Sequence, residues 1–235
     1  MDGLEKGIIL KVLTGSHCHG TALPESDKDT RGIIVPDISH FFGTKSFEQY
    51  ENKAEDTVFF GFKKYIHLAS KGNLSALNFL FVHKKDILYA DKWGQRILDF
   101  RENFLSHDVI NCIYGYVRSQ LHRMERGSGR CGNRSDLLEK YGYDTKFAYH
   151  AVMITNIGIE LLKTGTYHCL RSDGEQKILM RIRKGEQSYE ETMRMIKENL
   201  TVMSTLEPIG KVRKELDKEK VNQFCVEFLK DYFKE

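Results

Sequence analysis

Apolar residues follow two rhythms along this chain, one strand-like and one helical. Residues 7–14, GIILKVLT, are an apolar, β-branched-rich run that stops at Gly15, the pattern of a buried strand entering a turn. Residues 31–35, RGIIV, predict a second strand closed by Pro36, and 46–50 with 56–60 predict a strand pair around the polar turn at 52–54. From Gly61 the period lengthens. Phe62, Ile66 and Ala69 fall at helical spacing, and Gly72-Asn73 supplies the stop. A short apolar piece, Leu77 to Val82, packs next.

Past about residue 95 the strand rhythm almost vanishes. Residues 107–126 predict an amphipathic helix with Val109, Ile113, Tyr116, Val117 and Leu121 near one face. Residues 127–135, GSGRCGNRS, are glycine-rich and basic, hence a loop. Asp144 is placed to cap a long helix whose inner stripe is Ala148, Val152, Ile159 and Leu162 and which Gly165 ends. Two further helices are expected at about 188–205 and 211–233, the second burying Leu216, Phe224, Phe228 and Leu229. The pattern predicts an α+β chain. A small mixed sheet flanked by helices fills 1–100, and an all-helical domain over 101–235 closes the cleft.

Composition narrows the class. With 235 residues, 40% hydrophobic and 29% charged, the chain can bury a real core, and three prolines leave little room for long disorder. No run approaches the roughly 18 apolar residues a membrane span needs. The N-terminus, MDGLEKGIILKVLTGS, lacks the basic-then-apolar layout of a signal peptide. A cytoplasmic location without a membrane partner is expected. Cys18, Cys112, Cys131, Cys169 and Cys225 include no Cys-x-x-Cys pair, so they are read as reduced and mostly structural. A net charge of +3 is too mild to announce a nucleic-acid binder, although it would not repel one.

The chemistry concentrates in Gly15 to Arg31, GSHCHGTALPESDKDTR. A glycine directly after a strand lets backbone N–H groups approach phosphate oxygens, the next helical turn adds its positive end, and Ser16 offers a hydroxyl. Asp27 and Asp29 stand two apart. In an extended segment such residues point to one face, about 6.5 Å apart, close enough to converge on a pair of Mg2+ ions about 3.5–4 Å apart. Mg2+ takes hard oxygen ligands and keeps places open for substrate phosphates. A third carboxylate should come from an adjacent strand about 4.8 Å away, and Asp56, opening the predicted strand DTVFF, is the candidate, with Glu55 pointing to the other face. His17-Cys18-His19 could be read as a metal tract with both histidines on one side, but no third or fourth ligand is evident, so local packing near the phosphates is the preferred reading. Arg126, Arg130 and Arg134 form a basic loop without interleaved aromatics, a weak signal for RNA.

Gly-Ser, a spacer of about ten residues, Asp-x-Asp and an acid on a later strand resemble the DNA polymerase β-type nucleotidyltransferase superfamily. GSHCHGTALPESDKDTRGIIV, DTVFFGFKKYIHLASKGN, GYDTKFAYHAVMITNIGIELLKTG and IRKGEQSYEE resemble its RlaP-like branch, the RNA-repair-associated and phage type. The resemblance implies phosphate contact at Gly15 and Ser16, and two Mg2+ ions, for which Mn2+ can substitute, on Asp27, Asp29 and Asp56. Lys146 and His150, four apart on one helix face, match polar positions of the downstream block and are implied nucleotide contacts. The chain departs from the pattern at Lys28, at Asn73-Leu74 and Asn78 where Asn-Pro and a Glu are frequent, and at Met153-Ile154 where an arginine is frequent. These departures bear on acceptor and nucleotide preference. The implied reaction moves a nucleoside monophosphate from an NTP such as ATP to an acceptor hydroxyl, an RNA end among the candidates, and releases pyrophosphate. The rival expectations are AMP transfer to a protein and a nucleotide-binding or toxin-neutralising module without turnover.

Overall fold

The first apolar run is a strand, β1 (Ile8–Leu13), with Ile9, Leu10 and Val12 inside, and it lies second from one edge of a five-stranded mixed sheet. The computed structural model describes residues 5–125 and 135–234, so Arg126, Arg130 and Arg134 lie outside the described residues. The other strands are β2 (Thr30–Ile34), β3 (Gln49–Asn52), β4 (Thr57–Gly61) and β5 (Ile87–Ala90), in the order β3-β4-β2-β1-β5. β2 runs parallel to β4, and the other neighbours are antiparallel. The chain is therefore α+β, as its periodicity predicts.

Chain contacts divide it into two units. One takes Met1–Val109, His168–Leu170 and Arg213–Glu235, the other Ile110–Tyr167 and Arg171–Val212. In the first, a helical turn α1 (Gly15–Cys18) follows β1, and α2 (Ser39–Phe42) lies between β2 and β3. Then α3 (Phe62–Ser70) starts directly from β4 and buries Phe62, Tyr65, Ile66 and Ala69. α4 (Leu74–Leu80) is capped by Asn73, whose side chain accepts from the Ala76 N–H at 3.0 Å. Asp91 caps α5 (Lys92–Phe100) by accepting from Trp93 and Gly94 N–H groups at 2.9 and 2.8 Å. A Cβ on Gly94 would overlap the Ile9 carbonyl, so only glycine lets α5 lie against β1. The last helix, α11 (Lys218–Tyr232), groups with this unit. Its Phe228 stacks on Phe62 at 4.5 Å and meets Trp93 edge-on at 5.3 Å.

The second unit holds most of α6 (His107–Glu125), then α7 (Ser135–Tyr141), α8 (Thr145–Thr164), α9 (Asp173–Arg183) and α10 (Tyr189–Leu206). Asp144 caps α8 and Gly165 ends it in the left-handed region at φ 76°. The Asn199 amide on α10 donates to Thr155 at 2.9 Å and to Asn156 at 2.8 Å, which fixes the register of α10 on α8. Ser172 and Ser188 each form a reciprocal capping box, with Glu175 and Glu191. Buried Arg171 pairs with Glu160 at 2.6 Å.

Two expected bounds are corrected. The third strand sits at 49–52 rather than 46–50, and the last helix begins at Lys218, where the Asp217 side chain caps it. β5, before the point where the strand rhythm fades, is a short edge strand that the pattern does not mark, because its Leu88 and Tyr89 are exposed and inside–outside alternation is absent. α9 carries only Leu179 and Ile182 inside, too short a stripe to stand out.

The aromatic seat of α11 makes a stability prediction. Phe228→Ala empties a fully buried site and should cost about 3–5 kcal/mol. Urea denaturation checks this, and a cost below about 1 kcal/mol would contradict the packing described.

Candidate active site

Three neighbouring strands bring their ends to one place. β1 pairs with β2 so that Leu13 faces Thr30, and β2 pairs with β4 so that Thr30 faces Thr57. One residue beyond each pair the hydrogen bonds continue: the Thr14 N–H donates to the Asp29 carbonyl at 2.8 Å, and the Thr30 N–H donates to the Asp56 carbonyl at 3.0 Å. Asp29 thus lies flanked by the Thr14-Gly15 turn on one side and Asp56 on the other. Gly15 takes φ 66°, and a Cβ there would overlap the Asp29 carboxylate. Glycine is required at this position for two independent reasons, the left-handed backbone and the carboxylate pressed against its Cα.

Asp56 differs from its expected role as first residue of a strand. It closes the turn before β4 at φ 44°, a strained conformation for a non-glycine residue. Two bonds to its carbonyl hold it there, from the Thr30 N–H and from Arg31 Nη1 at 2.8 Å. Asp27 is exposed, in the extended segment leading into β2.

The charges at this point are incompletely compensated. Burial, then a hydrogen bond to Asp56 and its charge, push the Asp29 carboxyl up from 3.8 to about 6; Arg31 opposes this and Asp27 adds to it. Asp56 moves the other way, below its ordinary value, chiefly through the same hydrogen bond. The two shifts describe one shared proton, carried by the less exposed Asp29 and donated to Asp56. Arg31 reaches both carboxylates, Asp56 at 3.3 Å and Asp29 at 3.6 Å. A proton and a guanidinium hold the acids together where a multivalent cation would fit.

Arg31 is the residue that reading the sequence left as part of a strand. Its signal was there: it stands two residues after Asp29, so an extended chain puts it on the same face. Ser16 follows in α1, half-buried, its carbonyl accepting from the Thr21 N–H at 3.0 Å. Lys146 and His150 belong to the second unit, one turn apart on α8, Lys146 exposed and the His150 ring edge-on to Tyr149 at 4.8 Å. The structure brings Gly15, Asp29 and Asp56 together, with Asp27 within electrostatic reach of Asp29. A shallow concavity of about 710 Å³ along α10, lined by Tyr189, Met193 and Lys197 among others, carries none of these acids.

A mixed sheet with a Gly-Ser turn after its first strand, and acids at the ends of adjacent strands, is the arrangement of a polymerase β-type nucleotidyltransferase. Residues 4–227 match the family described as RlaP, RNA repair pathway DNA polymerase beta family, and the chain belongs to it. The chain is also similar to an uncharacterized 38.9 kDa protein in the nrdC-mobD intergenic region of Enterobacteria phage T4. They are 26% identical over 147 residues, 56% of this chain and 43% of that protein. The match spans less than half of the phage protein. No helix among the described residues is long and apolar enough to cross a membrane.

Two outcomes test the geometry. Gly15→Ala should destabilise the protein by about 1–3 kcal/mol through the left-handed backbone, with displacement of Asp29 in addition, measured by denaturation and by crystallography of the variant. In chelator-treated protein the native state holds more protons at Asp29 than the unfolded chain between pH 3.8 and about 6, so this group's contribution to stability falls as pH rises through that window. Asp56 acts with opposite sign, but at lower pH. Denaturant unfolding at pH 4.5 and 7 should show a wild-type loss that Asp29→Asn lacks; equal slopes in both proteins would contradict the shared proton.

Proposed function

We propose that the chain is a divalent-metal-dependent nucleotidyltransferase that transfers a nucleoside monophosphate from an NTP to an acceptor hydroxyl. The observation that carries this reading is the strand register that sets Asp29 beside Asp56 and against the Gly15 turn. Paired carboxylates that retain a proton well above the usual carboxylate range are held too close to ionise together without a cation. Their hard oxygens suit Mg2+, with Mn2+ as a substitute. Asp27, Asp29 and Asp56 would hold two such ions, which supply charge neutralisation and alignment for phosphoryl transfer.

The chain's own groups account for the remainder. Gly15 and Ser16 seat the triphosphate through backbone N–H groups and the Ser16 hydroxyl. Asp56, the ionised member of the pair, takes the proton of the acceptor hydroxyl. The acceptor oxygen then bonds to the α-phosphorus in line with the departing group, and pyrophosphate leaves. Arg31, which reaches both carboxylates, would remain beside them as a cation for the phosphates. Lys146 and His150, on one face of α8, are the proposed contacts to the nucleotide.

An RNA end is the proposed acceptor, favoured over a protein hydroxyl because the family's description places it in RNA repair. ATP is the first nucleotide to try. The experiment is incubation with labelled NTPs, Mg2+ and either RNA ends or candidate proteins. Label should pass to RNA, and Asp27→Ala with Asp29→Ala should reduce transfer by about 10²–10³-fold or more, the rate equivalent of several kcal/mol of metal stabilisation. Undiminished transfer by the double variant overturns the assignment. Calorimetric NTP binding without pyrophosphate release would make the chain a nucleotide-binding or toxin-neutralising module instead.

A further inference from the structure

A second group of reactive side chains lies just behind the Gly15 turn. Cys18, His19 and Cys169 are all buried, and one donor atom from each falls within 4.8 Å of the others. The sequence hides this group because its third member arrives 150 residues later, on the His168–Leu170 segment that belongs to the sheet unit. That segment is tied in by the Cys169 N–H donating to the Phe81 carbonyl at 3.3 Å and by the Cys169 thiol donating to the Asn78 carbonyl at 2.8 Å. His17 is not a member. The tract runs through a helical turn into the cap at His19 rather than a strand, so the two histidines do not share a side as a strand would place them.

We infer that Cys18, His19 and Cys169 form a structural site for a thiolate-binding divalent cation, Zn2+ foremost, with Asp86 completing its surroundings. Three features point to a cation. The His19 Nδ1 lies 3.0 Å from the Cys169 carbonyl; when it donates there, the Nε2 lone pair is the metal-binding one, the usual outer-sphere arrangement of a zinc histidine. Two sulfurs and an imidazole are a borderline-soft donor set that selects Zn2+ over Mg2+. Asp86 is buried, one of its carboxylate oxygens has no hydrogen-bond partner, and it is near enough to act electrostatically on Cys18. A buried carboxylate beside two ionisable thiols carries a large desolvation cost unless positive charge is close. Zn2+ replaces both thiol protons, which leave to solvent, and the fourth position falls to a water that the unpartnered Asp86 carboxylate orients from outside the three-donor group.

Such a cation would brace the nucleotide turn. The Cys18 thiol now donates to the Gly15 carbonyl at 3.2 Å, so the same four-residue turn carries the phosphate seat on one end and the metal ligand on the other. The inference is independent of the acidic cluster, whose oxygen donors give a different signal.

The test is titration of the full-length, reduced, metal-stripped protein with Co2+. A thiolate-to-cobalt charge-transfer band with intense tetrahedral visible bands should appear, vanish on Zn2+ addition, and persist in the Asp27→Ala, Asp29→Ala variant. Cys169→Ser should abolish it, and Asp86→Asn should weaken Zn2+ affinity about 10–100-fold. Because Cys169→Ser can simply misfold, alkylation of the wild type gives a second measurement: Zn2+ should protect Cys18 and Cys169 from modification while Cys225 still reacts on partial unfolding. No charge-transfer band in folded, reduced wild type overturns the proposal. So does a Cys18–Cys169 disulfide, seen as a loss of two hydrogens, that forms equally fast with Zn2+ present.

Discussion

The register that puts Asp29 beside both Thr14 and Asp56 is the constraint from which the rest of this site follows. A strand pairs with two neighbours, and a slip of one residue in either pairing would send its side chains to the opposite face. Here β2 is antiparallel to β1 and parallel to β4, and both ladders carry on for one residue past the formal strand ends. The Asp29 backbone is thereby fixed at its carbonyl by Thr14, while the next amide is fixed on Asp56. Arg31 then bridges the two carboxylates that this register brings together. The parallel β2–β4 pairing also explains the long connection from 35 to 56, since parallel neighbours cannot be joined by a tight hairpin.

Supporting layers protect that register. α5 lies against β1 at the cost of any side chain at position 94, and α11 closes over Phe62 and Trp93 with a run of stacked rings. Residues from three separate stretches of chain thus pack on one small sheet. A four-residue helical turn has almost no stability of its own. Its position comes from the strand before it, from the Thr14–Asp29 bond, and from Cys18 beneath it, which lies against Cys169 from a distant stretch of the chain.

Legibility in the sequence tracked the range of the forces involved. β1, β2, α3, α8 and α10 were read because each carries its own period and its own stop, such as Gly165 after α8 or Ser188 before α10. The Gly15-Ser16 and Asp27-x-Asp29 signals were local as well. What escaped notice depended on distant partners. β5 becomes a strand by joining the edge of β1, and the strained turn at Asp56 is imposed by the β2 ladder rather than by local propensity. Arg31 is legible locally only as a same-face neighbour of Asp29, and its second partner, Asp56, is set by the parallel ladder. Cys169 is unreadable as a partner of Cys18 because nothing in a separation of about 150 residues encodes proximity.

The strength of Arg31's hold on the acids decides how the site can work. An exposed ion pair is worth about 0.2–1 kcal/mol, and at 3.3 and 3.6 Å with a partly exposed guanidinium these pairs belong to that weak class. The Arg171–Glu160 pair is the contrast, with a buried guanidinium 2.6 Å from a partly buried carboxylate, and it serves as a firmer strut. Arg31 bridges Asp29 and Asp56 through contacts weak enough for a competing cation to displace. Weak compensation is therefore the condition for a loadable site. Had Asp29 been fully buried with Arg31, the carboxylate would be locked in a permanent pair and closed to any substrate-bound cation.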